Sequence, residues 1–359
     1  MDEDKDTSKV DGGALFVTGN DVTITNTIFD GCNATNAGGA LYVLGNDTNI
    51  IGCTFTSNTG SDAGALYVNG TNCMLLNSVF TDNIAGDDGG AIYWAGNYGT
   101  IHNITCTNNK GISANKTDGT TSSTRGGTIC LVGSNVNVTQ STFTLGSAYM
   151  DEGKDASKVD GGALFITGND VFIIDNVFNR CNSTNAGGAV YVIGNETQII
   201  NCTFNECTSK DGAALYVDGE SCTLFNTSFA DNVAGDDGGA IFWQGDNGYM
   251  YNITCTNNKG ISYNTSSSRG GSICLTGDNV TVTQSKFLSS NVYMDSGDSS
   301  KVDGGALFIT GNNVTIYETE FTDCSAVNFG GATTSFPSVP TDSTRPPTLI
   351  LSGRPSLSM

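Results

Sequence analysis

Acidic side chains recur at one position of this chain, directly before a pair of Gly or Ala residues, and carboxylates are the groups that hold hard cations. In consecutive repeats such carboxylates would stack, and their repulsion would raise a pKa or attract a cation. Arg125 and Arg269 occupy the same position and offer charge compensation. A weak site for a structural Ca²⁺ is one interpretation, and a solvated charge ladder balanced by arginine is the other. The candidate cation-binding residues are Asp62, Asp87, Asp88, Asp211, Asp236 and Asp237.

Aromatic side chains recur between two apolar residues, as in Leu15-Phe16-Val17. Because side chains alternate across a strand, these rings face outward if their neighbours face a core. An exposed aromatic stripe is suited to contact carbohydrate or protein, and a stacked ladder that stiffens a sheet is the alternative. The candidate ligand-contact residues are Phe16, Tyr42, Tyr67, Tyr93, Phe165, Tyr191, Tyr216, Phe242 and Phe308.

The 12 cysteines favour packing over metal chemistry. None are spaced as the C-x-x-C pair of a zinc site, and they stand where other repeats carry Phe, Val, Asn or Thr. We therefore interpret them as small buried apolar residues, and we predict no cysteine metal site. Cys181 and Cys207 share one position in consecutive repeats, which makes them the candidate disulfide pair.

No catalytic constellation emerges from the remaining residues. The only histidine is His102, and no Ser/His/Asp arrangement recurs around it. Asp87 and Asp88 resemble the paired carboxylates of a glycoside hydrolase, but they fit a periodic acidic ladder equally well. We therefore expect no catalytic residue.

A repeated unit of sequence must position all of these residues. The unit Gly12–Gly19 is followed ten residues later by Phe29, and later copies keep a Gly and a Phe or Cys at the same offsets. A fixed cross-section joined by segments of variable length is the signature of a solenoid. The second residue of each copy lies at Gly13, Gly39, Gly64, Gly90, Gly127, Gly162, Gly188, Ala213, Gly239, Gly271 and Gly305, and a further copy starts at Gly331.

Each unit predicts three short strands separated by Gly and Asn turn positions, and the predicted fold is an all-β, right-handed parallel β-helix. About 11 to 12 coils of roughly 25 residues follow from this period. Apolar ladders through Leu15, Ile24 and Phe29 form the expected core, and an asparagine ladder is expected three residues after the Phe position.

A longer period divides the chain into a partial repeat loop (1–11), a β-helix (12–332) and a Pro-rich disordered or non-array tail (333–359). The first segment matches 150–160, so we interpret the chain as a fragment of a longer array. Within the β-helix the long repeats cover 12–160, 161–303 and the start of a third, 304–332. Insertions at one corner should cluster as protrusions, and they lie at 110–124, 146–160, 259–268 and 289–303.

Composition restricts the partners. The net charge of −21 argues against nucleic acid, which needs clustered Lys and Arg. No secretory signal and no apolar run of membrane-spanning length is present, so this fragment is not expected to insert into a membrane. Asn-x-Ser/Thr sequons such as those at Asn33 and Asn46 mildly support an extracellular setting. Open strand edges at the last coil allow end-to-end self-association.

The Gly-Gly-Ala-Leu/Ile element with Phe-x-x-Asn, as in Phe55–Asn58, Phe80–Asn83 and Phe229–Asn232, resembles the repeats of chlamydial polymorphic outer-membrane proteins. It is also similar to adhesin-like surface proteins of methanogenic archaea with pectin-lyase-like β-helix repeats. The resemblance covers 12–332 and implies a non-catalytic cell-surface stalk or adhesin. Cys replaces Asn or Phe in several coils, and neither a membrane anchor nor an autotransporter barrel is present in the sequence.

We therefore expect an extracellular or cell-surface adhesin or stalk whose loops bind a glycan or a surface protein. One alternative is a Ca²⁺-dependent polysaccharide lyase or epimerase of the pectate-lyase type, for which Arg125 and Arg269 are the only candidate bases. A structural surface spacer without a ligand is the other alternative.

Overall fold

The computed structural model describes residues 10–113, 123–150, 159–264, 267–297 and 302–330, and every regular element within them is a β-strand. The strands stack in parallel into four long sheets, three with 11 strands and one with 10. This confirms the predicted right-handed parallel β-helix. With a strand spacing of about 4.8 Å per coil, the whole stack of coils is about 50 Å long. In this part of the chain no helix is long and apolar enough to cross a membrane. The tail 333–359, residues 1–9 and the expected copy at Gly331 lie outside the described residues.

Sheet A contains the strand that follows each glycine pair. The central residue of most strands is aromatic and faces outward, while the first and third residues face the core. Leu41 and Val43 are therefore fully buried, and Tyr42 between them is partly exposed. Pairing is in register from coil to coil, as in Leu15↔Leu41. The strands of sheet A are Leu15–Val17, Leu41–Val43, Leu66–Val68, Ile92–Trp94, Ile129–Leu131, Leu164–Ile166, Val190–Val192, Leu215–Val217, Ile241–Trp243, Ile273–Leu275 and Leu307–Ile309.

Sheet B carries the second predicted apolar ladder at the centre of each strand. Ile50, Leu75 and Ile101 are fully buried, which confirms their place in the core. The strands of sheet B are Thr23–Thr25, Asn49–Ile51, Met74–Leu76, Thr100–His102, Asn137–Thr139, Phe172–Ile174, Gln198–Ile200, Thr223–Phe225, Tyr249–Tyr251, Thr281–Thr283 and Thr315–Tyr317.

Sheet C carries the Phe/Cys ladder. Phe55 and Phe80 stack with ring centroids 4.6 Å apart at an interplanar angle of 3°, which is how identical shapes fill a solenoid core. The strands of sheet C are Ile28–Asp30, Thr54–Thr56, Val79–Thr81, Thr105–Thr107, Thr142–Thr144, Val177–Asn179, Thr203–Asn205, Ser228–Ala230, Thr254–Thr256, Lys286–Leu288 and Glu320–Thr322.

Sheet D was not predicted, and the expectation of three strands per coil is wrong. In the short coils its strands have only two residues, as in Thr59–Gly60, so no alternating apolar pattern marks them. The strands of sheet D are Thr59–Gly60, Ile84–Ala85, Lys110–Ser113, Ser147–Met150, Asn182–Ser183, Thr208–Ser209, Val233–Ala234, Lys259–Asn264, Asn291–Gly297 and Ser325–Ala326. Two further pairs, Thr124–Arg125 with Val159–Asp160 and Ser268–Arg269 with Val302–Asp303, form separate two-stranded sheets.

Left-handed backbone conformations form the corners between the sheets. In the first coil Asp21, Asn26 and Gly31 have φ values of 56°, 50° and 63°, and later coils repeat these corners. Asn, Asp and Gly adopt this conformation at the lowest cost, which explains their abundance. At the fourth corner a Cβ on Gly12 would lie 2.5 Å from Leu15 O, which favours glycine there, although the third coil accommodates Ala63 at this position with a φ of 59°.

The asparagine ladder satisfies the backbone at the turn after sheet C, as predicted. Asn83 Nδ2 donates to Phe55 O at 3.0 Å and to Asn109 Oδ1 at 2.9 Å, and the backbone N–H of Asn58 donates to Asn83 Oδ1 at 3.0 Å. Asn58, Asn83 and Asn109 are fully buried. A row of buried amides with every partner in place fixes the register between coils.

Candidate functional site

Asp211, Asp236 and Asp237 meet at one corner of the helix, where the acidic column runs beside the glycine pairs. Their carboxylate oxygens lie within 4.8 Å of one another. Lys210 Nζ lies 3.2 Å from Asp211 Oδ2 and 3.6 Å from Asp236 Oδ2. Arg269 donates to both carboxylate oxygens of Asp237, from Nε at 3.1 Å and from Nη2 at 2.5 Å. We call these five residues the second corner.

Burial shifts Asp236 and Asp237 of the second corner toward their neutral forms. The pKa of Asp236 is raised to about 6, mainly by burial and then by the charges of Asp237 and Asp211, against the lowering effect of Lys210. The pKa of Asp237 is also raised by burial, against the hydrogen bonds and charge of Arg269. Asp236 Oδ1 is buried and has no hydrogen-bond partner among the described residues.

The first corner, formed by Asp62, Asp87, Asp88 and Arg125, has the same backbone with a different pairing. Asp88 Oδ1 accepts the backbone N–H of Arg125 at 2.9 Å. The Arg125 guanidinium lies 5.3 Å from the centroid of the Phe165 ring, and within the described residues no carboxylate forms a salt bridge with it. Burial raises the pKa of Asp88 to about 7, helped by Asp87 and opposed by Arg125.

The donor set of these corners suits a balanced charge ladder better than a calcium site. Ca²⁺ takes six to eight oxygen ligands, whereas the second corner offers three carboxylates that already contact Lys210 and Arg269. Elsewhere in the described ranges no other set of three acidic, His or Cys side chains meets so closely. The Ca²⁺ site at the six aspartates stays a prediction.

Sheet A places all nine predicted aromatic residues in one outward column. Tyr42 and Tyr67 stack with centroids 4.6 Å apart at 1°, and Tyr67 and Tyr93 stack at 4.9 Å and 1°. Rings stacked this closely cover one another's faces, so solvent reaches their edges and hydroxyl groups. Ligand contact by this stripe stays a prediction, and the geometry restricts it to those edges.

The stripe is interrupted in the fifth and tenth coils, where Cys130 and Cys274 take the ring position. The guanidinium of Arg125 lies over Phe165, and that of Arg269 lies 5.1 Å from the centroid of Phe308. Phe165 is only 2% exposed, so the expectation of an accessible ring is wrong at this residue, because Arg125 covers its face.

The cysteines are packed as the sequence predicts. All 12 are free thiols, and all except the partly exposed Cys32 are buried. Cys181 and Cys207 are neighbours in adjacent coils, since Thr208 N donates to Cys181 O at 3.0 Å. Burial raises the pKa of Cys207 well above its usual range. A thiol held neutral in this way reacts slowly, and the Cys181–Cys207 disulfide stays a prediction.

The insertions of each long repeat pair with one another as longer strands of sheet D, and we call each such pair of insertions an arm. In the first arm Lys110–Ser113 pairs with Ser147–Met150, and Thr124–Arg125 pairs with Val159–Asp160. Gly111 permits the close return, because a Cβ there would lie 2.6 Å from Thr124 Cγ2.

The second arm repeats the first. Lys259–Asn264 pairs with Asn291–Gly297, with a register shift between Ser262 and Tyr263, and Ser268–Arg269 pairs with Val302–Asp303. The Tyr293 side chain is 37% exposed and lies opposite Ile261. The two arms therefore leave the same corner of the helix one long repeat apart. Residues 114–122, 151–158, 265–266 and 298–301 of the insertions lie outside the described residues.

One surface that the sequence analysis missed is a groove along sheet C and its following turn. Its residues could have been found by asking where the two long repeats differ, because most of them have a different counterpart in the first long repeat. The lining residues are Thr144, Asn179, Arg180, Asn205, Glu206 and Asp231.

Two segments of the chain, 77–93 and 226–242, match the Chlamydia polymorphic membrane protein repeat. Each spans the Phe-x-x-Asn turn and the next Gly-Gly-Ala-Ile strand, and the second is the counterpart of the first in the next long repeat. No curated protein matches the chain. Repeats of this type belong to surface-exposed proteins. The chain is thus a parallel β-helix that carries repeats of the Chlamydia polymorphic membrane protein type.

Proposed function

We propose that this protein is a non-catalytic adhesin or stalk at the cell surface that presents its paired arms to a glycan or protein partner. The observation that carries the proposal is the pairing of the insertions, as in Lys110–Ser113 with Ser147–Met150. Loops on one side of a rigid solenoid are where repeat proteins usually bind. Two arms one long repeat apart also allow bivalent attachment, which raises avidity without new contacts.

A five-residue turn already present in the chain supplies the test. Coil three passes to coil four through 84–88, so this turn can replace 110–125 and 259–269 without inventing a new corner. The arm-replaced variant and the wild type would be compared for adhesion to cells and for binding to glycan and protein arrays. Loss of adhesion with unchanged circular dichroism supports the proposal, and full adhesion by the arm-replaced variant contradicts it.

The lyase alternative is weakened by the state of the two arginines. A lyase needs a basic side chain that is free to take a proton from the substrate beside a metal-holding cleft. Arg269 instead forms hydrogen bonds with Asp237, and the guanidinium groups of Arg125 and Arg269 both lie over aromatic rings. Incubation with polygalacturonate and Ca²⁺ tests this directly. Formation of an ultraviolet-absorbing unsaturated product would establish the lyase. Absence of both adhesion and product would leave the structural spacer.

A further inference from the structure

The groove on sheet C lies where the second long repeat departs from the first. Its wall is made by the third residue of successive sheet C strands and by the turn residue that follows each of them. In the first long repeat, the positions that match Asn179, Arg180, Asn205 and Glu206 carry small or acidic residues. Those counterparts are Asp30, Gly31, Thr56 and Ser57, in the same order.

Two turn residues of the groove, and the turn residue of the coil before them, hold a backbone conformation that their types rarely adopt. Leu145, Arg180 and Glu206 have φ values of 55°, 50° and 52°. Their column otherwise carries Gly, Ser, Asp or Asn, which adopt the left-handed conformation more readily. Three consecutive exceptions in one column indicate that these side chains are retained for a role other than forming the turn.

Polar groups in the groove keep hydrogen-bonding capacity. Asn205 Nδ2 donates to Asn179 Oδ1 at 3.1 Å, and no other side-chain hydrogen bond among the described residues uses the Asn179 amide donor or the Asn205 carbonyl oxygen. Arg180 and Glu206 are exposed, and among the described residues neither side chain has a salt-bridge or hydrogen-bond partner. Asp231 is held in place by a hydrogen bond from Asn257 Nδ2.

We propose that this groove binds a neutral saccharide. Each sugar hydroxyl both donates and accepts, and the groove offers both functions in alternation: an amide donor, an amide acceptor, a guanidinium and carboxylates. Arg180 is the one cationic residue among those that line the groove, which lacks the cluster of cations that a phosphate or sulfate would need. Leu145, 41% exposed, is the turn residue that precedes Arg180 in this column and offers an apolar surface next to the groove. The inference rests on the proposed binding role but uses a surface separate from the arms.

The first long repeat supplies a test variant that should fold. Asn179→Asp, Arg180→Gly, Asn205→Thr and Glu206→Ser give the groove the residues that the matching positions already carry. The variant, the wild type and the arm-replaced variant would be applied to an array of neutral, uronic acid and sulfated oligosaccharides. The strongest neutral oligosaccharide would then be titrated by calorimetry. A control variant, Asp30→Ala with Ser57→Ala, changes the matching face of the first long repeat.

We expect the groove variant to lose affinity by about tenfold or more, since several hydrogen bonds, two of them to charged groups, disappear together. The control and the arm-replaced variant should bind the oligosaccharide as the wild type does. Unchanged binding by the groove variant, equal loss in the control, or a preference of the wild type for uronic acid or sulfated sugars would overturn the inference. If the groove variant binds normally while the arm-replaced variant loses adhesion, the groove fails and the proposed function stands. A wild type that binds no glycan but still adheres to cells overturns the groove alone.

Discussion

The first and second corners share one backbone and differ in how their carboxylates are neutralised. In the second corner Lys210 contacts Asp211 and Asp236, and Arg269 binds Asp237 through two nitrogens. In the first corner Ser61 stands at the position of Lys210. The coil therefore fixes where the acidic column runs, while residues that differ between the long repeats, such as Lys210, change the partners of its carboxylates.

The difference extends to the arginines, which otherwise occupy equivalent positions. Both guanidinium groups lie over a ring of the next coil, at 5.3 Å for Arg125 and 5.1 Å for Arg269. Only Arg269 adds a two-nitrogen bond to a carboxylate, that of Asp237, whose side chain is 6% exposed. An arginine over a ring fills the gap that a cysteine leaves in the aromatic column, and in the second corner it also holds a buried charge.

Removing these two arginines should give the largest contrast. Arg269→Ala leaves the Asp237 carboxylate buried without its partner, and we expect a loss of about 3 kcal/mol in the free energy of unfolding. Arg125→Ala loses mainly the contact with Phe165, which is worth about 1 kcal/mol. Urea denaturation of both variants at pH 7.5 measures the difference. Equal losses would show that the ion pair with Asp237 adds nothing.

A second arginine variant separates charge from packing. Arg269→Met keeps an unbranched apolar chain against Phe308 and removes the charge. We expect it to remain nearly as unstable as Arg269→Ala, because the buried carboxylate is still unpaired. Recovery to wild-type stability in the methionine variant would assign the effect to packing on the ring.

The core of this protein could be predicted from sequence because its residues are repeated. Leu41, Ile50 and Phe55 keep their type and spacing from coil to coil, and a fixed register turns each such column into a buried ladder. The asparagine column could be predicted for the same reason, because several coils carry an Asn three residues after the Phe position, as Asn83 does after Phe80.

What repeats cannot reveal is what differs between them. Sheet D was missed because a strand of two residues, such as Thr59–Gly60, is too short to show an alternating apolar pattern. At the positions of Lys210, Arg180 and Glu206 the first long repeat carries other residue types. A comparison of equivalent positions in successive coils therefore treats these residues as variation in exposed turns. The contact of Lys210 with Asp236 runs between coils and depends on side-chain reach, which the spacing of residues along the chain does not contain.

The pH dependence of stability should follow the first corner more than the second. The pKa of Asp88 is about 7, against about 3.9 in an unfolded chain, so the folded state holds an extra proton between these values. Stability therefore rises as the pH falls through 7 toward 4, and the cost of ionisation is fully present above pH 7. Asp160 and Asp236, with pKa values of about 6, act in the same direction.

Asp88→Asn should remove the largest part of this slope. Between pH 8 and pH 5 the wild type should gain about 2–3 kcal/mol from this one residue, and the variant should lack that gain. The asparagine Oδ1 can still accept the N–H of Arg125, so the local hydrogen bond is kept. Urea midpoints across this pH range provide the measurement, with Asp236→Asn as the matched variant of the second corner. An unchanged slope in Asp88→Asn would place the titrating group elsewhere.

Exchanging Ser61 of the first corner and Lys210 of the second should have the smallest effect on stability. The two substitutions should change stability in opposite directions. Ser61→Lys places an ammonium group where Lys210 stands in the second corner, within reach of Asp62 and Asp87. We expect a gain of about 0.5 kcal/mol at pH 8, because a largely exposed ion pair contributes little, and a downward shift in the pH at which Asp88 titrates. Lys210→Ser should lower the free energy of unfolding by a similar amount.

Salt should separate these exposed charges from the buried one. Both lysine effects should shrink in 1 M salt, which screens exposed charges, while the Arg269→Ala effect should persist because the Asp237 carboxylate is buried. If the lysine exchange proved insensitive to salt, the two corners would differ in packing and not in charge.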